Sequence, residues 1–172
     1  MAAELSLQSN FTFLTGASHP EEHVERAVLL GLPALAIADD NSVAGIVRAH
    51  GHAREIARMV AERRAWEAAN TPIGPPRPAH LPPPPSYPIH AVPRVIPAAR
   101  LVFTDAPPIT VLPATRRGWA SLCRLLSLGR LRAEKGNCIL RLSDLEDHAE
   151  DLHLLLWPQA AAWQRGAGAA WP

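Results

Sequence analysis

The chain has 172 residues, 48% of them apolar, and a formal charge of +1. That length holds one ordinary domain with a real core, the apolar share excludes a disordered protein, and the charge gives no global case for nucleic-acid binding. Cys123 and Cys138 are the only cysteines; with no close Cys or His spacing they predict reduced thiols in a cytosolic protein, not a disulfide framework or zinc site.

Met1-Ala2-Ala3-Glu4 carries no basic, apolar leader, so no signal peptide is expected. No apolar run approaches the roughly eighteen residues of a membrane span. Leu5 to Ser9 alternates apolar and polar residues, which predicts a short strand with one buried face. Asn10 to Ser18 reads as a loop. Ser18 with Glu21 has capping-box spacing, so a helix is predicted from there to about Leu30, with Gly31 closing it. Val24, Ala27, Val28 and Leu30 supply its apolar face. Leu32 to Ala38 is apolar on both faces, the signature of a central parallel strand. A second helix is predicted from Ser42 or Val43 to about Ala69, its apolar side carried by Ile46, Val47, Ala53, Ile56, Ala57, Val60 and Ala61.

Eleven of the eighteen prolines then fall between Pro72 and Pro97. Proline cannot donate to a ladder and breaks helices, so residues 70–97 read as a Pro-rich insertion or linker. Its PxxP spacings would suit a docking groove, although a stiff connector is the favoured reading. Arg100–Thr104 and Ile109–Leu112 flank Asp105-Ala106-Pro107-Pro108 and predict a hairpin. Thr115 caps a third predicted helix running to about Arg132, with Trp119, Leu122, Leu125 and Leu126 on its core side. Leu142–Glu146 reads as a short helical turn and Leu152–Trp157 as a strand, followed by an irregular tail, residues 158–172. The order β-α-β-α, hairpin, helix, strand indicates an α/β protein. It falls short of a complete eight-stranded barrel, which takes about 250 residues.

The strand before Asp39 and Asp40 is the place that reads as built for chemistry, because parallel strands deliver functional groups at their C-terminal ends. If the first two strands are parallel neighbours, Ser6, Gln8, Asp39 and Asp40 share one mouth. Carboxylates beside hydroxyl and amide groups suit a hard cation such as Mg²⁺, but the set is short of imidazole for zinc. Adjacent strand residues point to opposite faces, and the favoured alternative is that Asp40-Asn41-Ser42 is the polar turn and cap of the next helix. His50 and His52 have a His-x-His spelling but diverge two residues apart on a helix, and His19 and His23 have the i,i+4 spacing of half a metal site but stand at a helix start where solvated polar residues are the norm, so both pairs are read against metal. Arg116, Arg117, Arg124, Arg130, Arg132 and Lys135 stand against the single Glu134. They read as a surface for nucleic acid or a neighbouring domain, or as a solvated helix face, with the second favoured.

Three segments carry a family resemblance: Glu4 to Glu22; Leu32 to Asp39 followed by Ser42-Val43-Ala44-Gly45; and Gly129 to Gly136 after the third helix. Together they resemble the N-terminal PHP (polymerase and histidinol phosphatase) domain of bacterial C-family DNA polymerase alpha subunits, in their error-prone, damage-induced branch. The likeness covers most of residues 4–157 outside the insertion. It implies a partial PHP-type barrel, a distorted TIM-like β/α fold with a Pro-rich insertion.

The resemblance also implies a metal site with departures. The family's opening His-x-His stands here as Ser6-Leu7-Gln8, its Asp-His as Asp39-Asp40, and a later Gly-x-Glu aligns with Ala98-Ala99-Arg100. The expectation is therefore a degenerate site with no metal-dependent phosphoesterase or exonuclease activity, and Arg100 pairing with Asp39. The chain carries no polymerase palm, so no cofactor is expected in it; Mg²⁺ belongs to the full-length family polymerase. Expected partners are the remainder of the polymerase or other polymerase and repair subunits, with DNA contacted indirectly, in the cytoplasm and away from membranes. Either the product of a truncated or split gene or a fragment of a longer reading frame is expected, with exposed strand edges and poor solubility unless a partner completes the barrel. The alternatives are a stand-alone PHP-type phosphoesterase, or a non-catalytic interaction protein using the Pro-rich segment.

Overall fold

The computed structural model describes residues 2–69 and 92–156. Two compact units divide between Ala98 and Ala99. In the first, β1 (Glu4–Leu7), α1 (Pro20–Leu29), β2 (Ala34–Ile37), α2 (Ala44–Ala69) and β3 (Arg94–Pro97) follow one another. The strands form a parallel sheet in the order β1-β2-β3. β2 lies at its centre and is apolar on both faces, as a doubly covered parallel strand must be: Leu35, Ala36, Ile37 and Ala38 are all at 0% exposure.

α1 begins one residue later than its Ser18/Glu21 spacing predicts. His19 is the cap, and its N–H donates to Glu22 Oε2 at 2.8 Å. Val24 and Ala27 form its buried stripe, while Leu30 is exposed. Gly31, with φ of +65°, makes the left-handed turn that stops the helix. α2 has the predicted extent but a shorter apolar face. Its buried residues, Gly45, Ile46, Ala49 and Ala53, all lie in its first half, and Val47 points to solvent. Its second half is laced by Arg58–Glu62 and Arg63–Glu67 pairs at i,i+4 spacing.

The main correction concerns the Pro-rich segment, whose last residues are a strand. β3 pairs with β2 in register from Ala34↔Arg94 to Ile37↔Pro97, and Arg94 N–H donates to Pro33 O at 2.9 Å. Proline is tolerated because β3 is an outer strand of this sheet and Pro97 its last residue. Residues 72–91, which hold most of the expected PxxP strip, lie outside the described residues, as do Trp157 and the tail.

In the second unit, β4 (Ala99–Leu101), β5 (Ile109–Pro113), α3 (Arg116–Leu131), α4 (Leu142–Glu146) and β6 (Leu152–Leu156) make an antiparallel sheet of order β4-β5-β6 with two helices. The predicted hairpin is present, but β4 ends at Leu101. Thr104 turns away, its N–H and Oγ1 both donating to Leu140 O (2.9 and 3.1 Å). Asp105 Oδ1 accepts from Leu142 N–H at 3.0 Å. Thr115 caps α3 as expected, its side chain accepting from the Arg117 and Gly118 N–H groups. Leu122, Leu125 and Leu126 are buried. β5 is central here and carries the buried residues Thr110 and Val111. Among the described residues no helix is long and apolar enough to cross a membrane.

Candidate functional site

The parallel pairing of β1 and β2 brings their C-terminal ends together, with Ala38 N–H donating to Leu7 O at 2.7 Å. Asp39 is the second residue past β2 and is 1% exposed. A carboxylate so far from water requires donors, and the loop after β1 provides them. Asp39 Oδ1 accepts from Ser9 N–H at 2.7 Å and from Thr12 Oγ1 at 2.9 Å. Oδ2 accepts from Ser9 Oγ at 2.8 Å. Ser9 and Thr12 are themselves buried. Thr12 Oγ1 also accepts from Asp40 N–H at 3.0 Å, so one hydroxyl links the loop to both aspartates.

Two glycines allow this close packing. A Cβ on Gly45, in the first turn of α2, would lie 2.6 Å from Asp39 Oδ2 and 3.1 Å from Ser9 Oγ. A Cβ on Gly16 would collide with the Ser9 carbonyl. Gly45 therefore lets the start of α2 lie directly against the carboxylate, while Gly16 packs on the loop that supplies its hydroxyl and amide donors.

The candidate residues separate accordingly. Asp40 turns to Gln8, whose Nε2 donates to Asp40 Oδ1 at 2.9 Å. Adjacent aspartates thus take different partners, as strand alternation requires. Ser42 Oγ accepts from Ala44 N–H at 3.2 Å, so the turn before α2 has the capping character read from Asp40-Asn41-Ser42. Ser6 is half-buried on β1. Arg100 is on β4 in the second unit, in register with Thr110. His23 and His19 serve separate parts of the loop: His23 Nε2 is 3.1 Å from Gln8 O and His19 Nδ1 is 2.9 Å from Asn10 Nδ2. His52 pairs with Glu25, and His50 lines a groove of about 420 Å³ with Arg54, Pro93 and Arg94. Among the described residues no group of three or more His, Cys, Asp or Glu is placed to hold a metal ion. Both thiols are free, and burial pushes Cys123 and Cys138 up from the ordinary thiol value, away from reactive thiolates.

Sequence reasoning missed Ser9 and Thr12. The available signal was their place directly after a strand with Gly16 behind them, but hydroxyls in a polar loop are too common to single out. The basic residues are all exposed, yet not equivalent. Arg117 is paired with Glu150, and Arg132 Nη1 lies 2.7 Å from Asp144 Oδ2. Asp144 also accepts from Arg141 N–H, and the Arg132 guanidinium foremost, with that N–H, holds its carboxyl below the usual aspartate value. Arg116 and Arg124 lie on the side of α3 away from its buried leucines, Arg130 is exposed at the flank of that stripe, and Lys135 is exposed beyond the helix.

Residues 4–165 match the family model described as PHP domain. The error-prone DNA polymerase of Ruegeria pomeroyi is 43% identical over 91% of this chain, which corresponds to 14% of that protein. The error-prone DNA polymerase of Rhodopseudomonas palustris is 38% identical over 91% of this chain and 11% of its own length. Error-prone DNA polymerase 1 of Rhizobium meliloti is 41% identical over 89% of this chain and 11% of its own length. The chain thus spans about a seventh or less of these relatives. With the family match running from residue 4 to residue 165, this chain belongs to the PHP domain family.

Proposed function

We propose that the chain serves as the PHP module of an error-prone DNA polymerase, acting in damage-induced synthesis across lesions in the cytoplasm. Its part is structural, with no resident metal and no phosphoester chemistry of its own. The observation that carries the structural half is the state of Asp39. Its carboxylate matches the family's ligand position, yet Ser9 and Thr12 take both of its oxygens. A cation there would have to displace three protein donors, with Ser6 and Gln8 standing where imidazoles would supply binding energy. The relatives' names and the 43% identity support the polymerase half.

On this reading the exposed cations of α3 meet DNA or a neighbouring domain, and nucleotidyl transfer, with Mg²⁺, belongs to other parts of the polymerase. The reading is tested genetically. Disrupting the coding sequence lowers the frequency of ultraviolet-induced mutation while leaving the spontaneous rate and growth unchanged. An unaltered induced frequency contradicts it.

A further inference from the structure

The loop between β1 and α1 holds two large apolar side chains in water. Phe13 is 84% exposed and Leu14 is 91% exposed, beside a Thr12 that is 3% exposed. The loop is well tied. Asn10 N–H donates to Ser18 O at 2.9 Å across its base, and Thr12 O accepts from the Thr15 and Gly16 N–H groups at 3.1 and 2.9 Å. Thr12 is in turn fixed to Asp39. Leu14 sits at φ of +66°, a left-handed conformation that disfavours any residue with a Cβ. Thus the hydrogen bonds that hold Asp39 also hold a strained tip, tied at its base, whose apolar groups stay exposed among the described residues. Preorganised apolar groups bind at a lower entropic cost than groups that must first be ordered.

The size of the tip indicates what covers it. Phe13 and Leu14 together present on the order of 300 Å², against about 800 Å² per partner for a stable free-standing complex. Such a tip is one anchor inside a wider contact, of the kind made between domains of one polypeptide. The relatives provide that neighbour, since the matched stretch is only 14% of the length of the Ruegeria pomeroyi protein. We infer that Phe13 and Leu14 form a preformed knob that seats in an apolar socket on the polymerase portion, an inference that rests on the polymerase-module reading above.

The test mixes the full chain with the part of the Ruegeria pomeroyi polymerase that follows its matched stretch, in a preparation active in primer extension. Binding is followed by titration, and hydrogen exchange is followed over residues 10–18. The expected result is saturable binding, at least tenfold slower exchange in that loop, and a tenfold or greater loss of affinity for Phe13→Ser/Leu14→Ser. The exposed positions make the double variant fold normally, checked by an unchanged circular-dichroism melt. Equal binding by wild type and variant overturns the knob and leaves the module reading standing. No binding of wild type to the extension-active portion overturns both. Self-association of the chain that the variant loses assigns the knob to a second copy and overturns the inference.

Discussion

Replacing Asp39 by Ala removes three hydrogen bonds at 2.7, 2.8 and 2.9 Å from a site that is 1% exposed. Charge-assisted bonds contribute about 1.5–3 kcal/mol each, and a buried donor left alone costs about 1–3 kcal/mol. The contributions do not add. Ser9 Oγ and Thr12 Oγ1 can rotate toward other acceptors, whereas the Ser9 N–H cannot. The expected loss is therefore about 3–5 kcal/mol, a large share of a typical domain's stability. Asp39→Asn keeps an acceptor for the Ser9 and Thr12 pair at the Oδ1 position and turns an amide toward Ser9 Oγ, so it loses less, about 1–2 kcal/mol. Urea unfolding read by circular dichroism measures both, and hydrogen exchange over residues 9–18 locates the effect. An Asp39→Ala protein that is as stable as wild type, or more stable, refutes the reasoning. That outcome is the one expected of a carboxylate left stranded by a lost metal.

The two glycines of α2 make a paired prediction. Gly45→Ala drives a methyl to 2.6 Å from Asp39 Oδ2 and destabilises by about 1–3 kcal/mol through overpacking. Gly51→Ala meets nothing within 4 Å and stabilises by about 0.5–1 kcal/mol through helix propensity; equal melting shifts in the two variants would remove the claim that α2 packs on the carboxylate. Asp144 has its acidity increased in the folded state, chiefly by Arg132. Its contribution is thus present above the unfolded aspartate pKa and lost as pH falls through the lower folded value. Asp144→Asn should lower the melting temperature at neutral pH and match wild type at the acid end, and a pH-independent deficit would exclude the ion pair as its cause. Arg116→Glu with Arg124→Glu leaves the fold intact because both are exposed. If these cations contact a nucleic-acid backbone, the pair weakens binding to single-stranded DNA and reduces the salt slope by about 0.7 per lost phosphate contact; an unchanged slope assigns the face to solvent.

Much of this architecture was legible because it rests on local rules. The apolar run before Asp39 had to be a buried strand, Thr115 had to cap a helix, and Leu122, Leu125 and Leu126 had to face a core. What escaped depends on pairing. Arg94–Pro97 looked like the end of a proline tract, and only its register against β2 makes it a strand. β4 looked longer than it is, because Thr104 and Asp105 leave the ladder for Leu140 and Leu142. The Asp39 position was legible, but its partners were not. Sequence places Ser9 at the end of the first predicted strand and Thr12 in the loop after it, both about thirty residues away, and only the parallel pairing of β1 and β2 brings them to the carboxylate. The basic helix was legible as charge, while its partial neutralisation by Glu150 and Asp144 was a matter of tertiary contact.

The central claim is that Asp39 closes a loop through protein donors and does not hold a metal. The direct measurement is titration of the purified full chain with zinc, manganese and magnesium, followed by elemental analysis after desalting. The same preparations are assayed on a phosphomonoester and on single-stranded DNA. The account predicts no stoichiometric retention of metal, no turnover, and a melting temperature unaffected by chelator. One equivalent of zinc or manganese retained, with hydrolysis that Asp39→Asn abolishes, would contradict it.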